Sequence, residues 1–74
     1  MMVEYFMRRD KVTDEMGKRI VVYGIDVVID DEVVRSVRDV FCDAADAERF
    51  IRLCNLLELN PVHLDDAIAD AIAA

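Results

Sequence analysis

The hydrophobic pattern changes period once along this chain. Up to about residue 41 the apolar positions alternate or run together. Beyond residue 43 they recur every three or four residues. The densest two-sided pattern is Lys18 to Ile29. Val21, Tyr23, Ile25, Val27 and Ile29 fall on one face of a strand, and Ile20, Val22, Gly24, Asp26 and Val28 on the other. Seven of those twelve residues are Val or Ile, whose branched side chains favour a strand over a helix. The first face is expected to meet the helices. The second is too apolar for a face open to water, although an unpaired carboxylate such as Asp26 is costly to bury. Gly24 in mid-strand marks a bulge or a close backbone approach.

The flanking segments build on this strand. Residues 2–9 alternate imperfectly and read as a first strand. Residues 10–17 are polar, end in Gly17 and read as a mobile loop. Asp30-Asp31-Glu32 reads as a tight turn, because Asp side chains bond their own backbone. The spacing of its carboxylates does not match a calcium loop. Residues 33–41 then return antiparallel as a third strand with ambiguous facing. Either Val33, Val37 and Phe41 turn inward, or Val34 and Val40 do; a bulge reconciles the two. Arg35 and Arg38 fall on opposite faces.

Asp43 is a good N-cap for a helix over 44–58, with Asp46 and Glu48 placed to complement its dipole. Ala47, Phe50, Ile51, Cys54 and Leu57 form its apolar stripe, widened by Leu53 and Leu56. Asn60 and Pro61 start a second helix, striped by Leu64, Ala67, Ile68, Ala71 and Ile72. Proline disfavours helical geometry in the residue before it, so the first helix must have ended there. Three strands followed by two helices imply one α+β domain over residues 1–74. Its three-stranded antiparallel sheet carries both helices on one face.

Composition adds constraints. The 74 residues are 55% hydrophobic, too apolar for a disordered chain. So short a chain has a small core and is stable by a narrow margin. Two apolar faces on the central strand, with helices enough for one, lead to the expectation of a homodimer or another protein partner. The net charge is −7, which disfavours nucleic acid. It is unevenly placed: residues 1–38 carry eight acids and seven bases, and residues 39–74 eight acids with Arg49 and Arg52 alone as bases. A nucleic-acid surface would need Arg8, Arg9, Lys11, Lys18 and Arg19 on one face. No apolar run is long enough to cross a membrane, and the N-terminus lacks the layout of a secretory signal. A cytoplasmic protein with two reduced thiols is expected.

Candidate chemistry is sparse. Cys42 and Cys54 stand roughly 16 Å apart along the first helix, too far for a disulfide or a shared zinc. Cys54 reads as a buried small hydrophobe. His63, the single histidine, sits at the start of the second helix. There Asn60 would cap its backbone N–H, and its ring would meet Asn55 across the corner. Cys54 and Asn55 point about 100° apart on a helix, so a Cys–Asn–His catalytic cluster does not form. No catalytic residue, cofactor-binding residue, metal ligand or cofactor is assigned. The expected role is a non-enzymatic interaction or self-association module. The alternative is a small-molecule or metal site at Asn55/His63.

Several short motifs carry a resemblance. Tyr23-Gly24-Ile25, Cys54-Asn55, Asn60 to Leu64, and His63-Leu64 followed by Asp66 and Ile68 resemble a family of short uncharacterised proteins. These come from clostridia and related Gram-positive bacteria and are grouped as a domain of unknown function. The resemblance spans residues 23–72. It implies a bacterial cytosolic setting and no particular activity, substrate or cofactor.

Overall fold

A computed structural model describes residues 1–73. Strand β2 (Arg19–Ile29) is the centre of an antiparallel sheet of order β1-β2-β3, with β1 at Val3–Thr13 and β3 at Glu32–Phe41. Helix α1 (Ala44–Leu56) follows, then a 3-10 turn (Pro61–His63) and helix α2 (Leu64–Ala73). The expected α+β order of three strands and two helices is the observed one.

The core lies between the helices and one face of the sheet. Tyr5, Ile25, Val27, Cys54, Leu64 and Ile68 form it, with Val3, Ile29, Val37, Val40, Phe50, Ile51 and Leu59 packed around it. On β2 the expected inward face is therefore correct from Ile25 to Ile29. Val21 and Tyr23 are only half-buried, because they lie on the part of the strand that reaches past the core.

Residues 10–17 do not form a mobile loop. β1 continues to Thr13, with Asp10 opposite Val22, Lys11 opposite Val21 and Thr13 opposite Arg19. Polar residues suit a strand here because this end of the hairpin is a ribbon with water beside it. The turn proper is short and held by Asp14. Its carboxylate accepts from Met16 N–H at 2.9 Å and Lys18 N–H at 2.8 Å, and Gly17 supplies a left-handed φ of 79°. At the opposite end, Asp30 and Asp31 make a two-residue hairpin turn with φ of 49° and 70°. Such positive angles let the turn follow the twist of its strands.

β3 carries two irregularities, and they settle its facing. Val27 pairs with Arg35 while Val28 pairs with Val33, so Val34 is an extra residue. Ile25 pairs with Val37 while Tyr23 pairs with Phe41, so three residues, Arg38 to Val40, oppose Gly24 alone. Asp39 takes a φ of 54° within this second bulge. Val37 and Val40 both reach the core; Val33 and Val34 are both exposed. Neither simple alternation holds, because each bulge resets it. Gly24 makes the second bulge possible: a Cβ there would lie 2.1 Å from the Val37 carbonyl oxygen.

The outer face of the sheet is apolar only in part: Ile20, Val22 and Val28 lie on it, with Val22 2% exposed. Its middle is polar. Arg8 donates to Asp10 at 2.8 and 3.1 Å and to Asp26 at 3.2 Å, and Ser36 Oγ donates to Asp26 at 2.6 Å. This group spans all three strands. The Asp10 bond and the charges of both aspartates push the Arg8 pKa up. Its bond and charge, with Arg38 nearby, hold Asp10 below the usual carboxylate range.

Candidate functional site

The helix corner is built on Asn55. In an antiparallel sheet, alternate residues of an edge strand point their N–H and C=O away from the neighbouring strand. Tyr5 does so on β1. Its N–H donates to Asn55 Oδ1 at 2.8 Å, and Asn55 Nδ2 donates to the Tyr5 carbonyl at 2.9 Å. The Tyr5 phenol passes under the corner and donates to the Leu59 carbonyl at 2.5 Å. Burial is the main reason its pKa is raised, with the nearby Cys54 thiol adding to it. Burial also pushes the Cys54 thiol up.

This geometry corrects the expected Asn55–His63 contact. The Asn55 amide is engaged by Tyr5, and His63 is exposed with no side-chain hydrogen bond among the described residues. The capping also differs by one residue. Asn60 Oδ1 accepts from Val62 N–H at 3.1 Å, while His63 N–H bonds the Asn60 carbonyl at 2.9 Å. Pro61 opens a 3-10 turn, and α2 proper begins at Leu64.

α1 ends two residues before the expected Glu58. Leu59 N–H returns to the Cys54 carbonyl at 3.0 Å and Glu58 N–H to the Asn55 carbonyl at 3.2 Å. That closure requires a left-handed residue just past the helix. Glu58 takes the position with a φ of 50°. The turn brings Leu59 down onto the core beside Cys54.

A larger concavity lies at the other end of the helical layer. It encloses about 510 Å³ between the end of β3, α1 and the end of α2, walled by Phe41, Phe50, Leu53 and Ile72. The Phe41 and Phe50 rings sit 5.6 Å apart and tilted. Asp46 and Arg49, paired with each other, line it, as does Cys42, whose thiol is free and exposed. His63 ends the 3-10 turn ahead of α2 and does not line this concavity, so no imidazole stands in it beside that thiol. A second hollow of about 400 Å³ lies between Met1–Val3 and Glu58–Pro61. Neither hollow includes Asn55 or His63 in its lining. Among the described residues, no group of three or more His, Cys, Asp or Glu side chains is placed to hold a metal ion.

The sequence pattern overstates how much of α1 is covered. Leu53, Leu56 and Leu57 are 49%, 73% and 72% exposed, and Ile72 is 60% exposed. Leu53 and Ile72 wall the same concavity; Leu56 and Leu57 extend the apolar surface of α1 from Leu53 to the end of the helix, outside the concavity's lining. Ala47, Phe50, Ile51 and Cys54 of the expected stripe do pack inward, whereas Leu57 does not. The stripe did not show that α2 leaves one flank of α1 open.

The model for a family of unknown function (DUF6514) matches residues 1–74, and the chain belongs to that family. No curated protein and no solved structure matches it. Among the described residues, no helix is long and apolar enough to cross a membrane.

Proposed function

We propose that this chain is a non-enzymatic protein-docking module that binds through the apolar ridge of its helical layer. The observation that carries the reading is the exposure of Leu53, Leu56 and Leu57 along the last turn of α1, with Leu53 and the exposed Ile72 walling a concavity beside it. A contiguous apolar patch beside a hollow is the usual mark of a protein contact, whereas single exposed apolar residues are ordinary. Large exposed leucines on a helix contribute little to folding; they gain free energy when a partner covers them. The ridge replaces the outer face of the sheet as the contact surface, since the Arg8–Asp10–Asp26–Ser36 group occupies the middle of that face. A bacterial cytoplasmic setting belongs to the same proposal, supported by the two free thiols.

The test compares the wild-type chain with Leu56→Asp/Leu57→Asp. Both positions are exposed, so the variant keeps its circular-dichroism spectrum and unfolding midpoint. Complexes are followed by size-exclusion chromatography with light scattering, for the chain alone and with its native host extract. Loss of a wild-type complex in the folded variant is the expected result. Identical complexes from both chains would overturn the reading.

A further inference from the structure

The far end of the β1–β2 hairpin has no helix over it. β3 ends at Phe41, opposite Tyr23, and β1 and β2 continue as a two-stranded ribbon to Thr13 and Arg19. Four residues at about 3.4 Å each carry it roughly 14 Å past the last β3 pairing. Arg9 is opposite Tyr23, Lys11 opposite Val21, and Thr13 opposite Arg19. These six residues share the side of the sheet on which the helices lie. Arg9, Lys11 and Arg19 are exposed, and none forms an ion pair among the described residues. Arg8, by contrast, points to the other face and is neutralised there. The ribbon therefore presents three unpaired cations around Val21 and Tyr23, on a protein whose net charge is −7.

The complementary surface is on the same chain. Residues 39–74 carry eight acids and two bases. Asp66 and Asp70 stand one turn apart on α2, exposed and without an ion pair among the described residues. We infer that the occupant of the helical ridge is a second copy of this chain, whose cationic ribbon face lies across the acidic helical layer. In a two-fold pair, each ribbon covers the other copy's helices and the contact closes on itself. Val21 and Tyr23 meet apolar ridge side chains while Arg9, Lys11 and Arg19 meet the acids. Lys11 and Arg19 lie past the last β3 pairing, and none of the three cations is paired with an acid of its own helices among the described residues. This inference deepens the docking reading above by naming its partner.

The test is light scattering on the full chain at about 100 μM, in roughly 50 mM and roughly 500 mM salt. The expected species at low salt has twice the 8.4 kDa chain mass, and its dissociation constant rises at least tenfold at high salt. Two charge reversals, Arg9→Glu/Lys11→Glu and Asp66→Lys/Asp70→Lys, each give a monomer with an unchanged circular-dichroism spectrum. Mixed in equal amounts, they form a heterodimer, since each reversed ribbon then faces a reversed helix. A structural defect in either variant would not be rescued in this way. A wild-type monomer at low salt overturns the inference, as does salt-sensitive binding of the monomer to duplex DNA that Arg9→Glu/Lys11→Glu abolishes. A dimer insensitive to salt and to both reversals, yet lost in Leu56→Asp/Leu57→Asp, overturns the ribbon contact and leaves the docking reading standing.

Discussion

The side chain of Asn55 pairs with the backbone of Tyr5 as a neighbouring strand would, accepting from its N–H and donating to its carbonyl. One residue of α1 thereby covers the open edge of β1. Edge strands with free backbone groups invite pairing with other chains. The same amide fixes where the helix corner sits on the sheet, because the Tyr5 phenol holds the Leu59 carbonyl four residues further on.

Asn55→Ala removes both bonds and leaves two backbone groups short of partners. The expected loss is about 1–2 kcal/mol, towards the lower part of the range for unsatisfied groups because the site is only part-buried. Asn55→Asp keeps the acceptor and sets a carboxylate oxygen against the Tyr5 carbonyl, so it destabilises as well. Urea unfolding midpoints at neutral pH measure both; a midpoint unchanged in Asn55→Ala would show that the clamp adds nothing to stability.

Gly24→Ala places a methyl group where the Val37 carbonyl oxygen stands. The obstacle is backbone, so the bulge itself must move. A loss of about 3 kcal/mol is expected, at the upper end for overpacking. Hydrogen exchange of β3 amides would rise more than that of β1. Tolerance of alanine with native exchange rates would contradict the close approach.

Glu58→Gly is expected to stabilise the chain by roughly 0.5–1 kcal/mol. A left-handed φ strains an L-residue and costs glycine nothing sterically, while glycine's greater freedom in the unfolded chain offsets part of the gain. The measurement is again the unfolding midpoint. A lower midpoint would mean that the Glu58 side chain has a role beyond ending the helix.

Alkaline pH should weaken the fold. Burial raises the pKa of Cys54 and, with the nearby thiol, that of Tyr5. The folded state then holds these protons more tightly than the unfolded chain does. Stability is complete below the unfolded values and falls as pH rises above roughly 9. Thermal midpoints from neutral to strongly alkaline pH trace the decline. Cys54→Ala and Tyr5→Phe should each make it shallower, although each also lowers stability at pH 7. Slopes identical to wild type would rule out these two groups as its cause.

The two thiols should separate cleanly by access. Cys42 is exposed and Cys54 buried. A thiol reagent should add one adduct to the native chain and a second only in denaturant, as read by intact mass. Two adducts at equal rates under native conditions would mean that the Cys54 region opens readily.

Local physics was enough for much of this protein. Branched side chains and a turn of aspartates determined the β2–β3 hairpin. The Asp43 and Asn60 caps, the Pro61 corner and the three-to-four-residue stripe determined two helices. Each of those signals acts within a few residues, so the sequence shows it directly. What depended on distant partners was hidden. Asp10 to Thr13 looked like a loop, and became strand through pairing with Arg19 to Val22. Val34 became an extra residue opposite the Val27–Val28 step, and Arg38 to Val40 became a bulge because β2 offers Gly24, with no side chain to hold them off. The stretch from Phe50 to Leu64 announced a corner, yet its decisive contact is with Tyr5, fifty residues before Asn55. The exposed leucines of α1 became a ridge only when the short α2 took its place across β3 and left their flank uncovered.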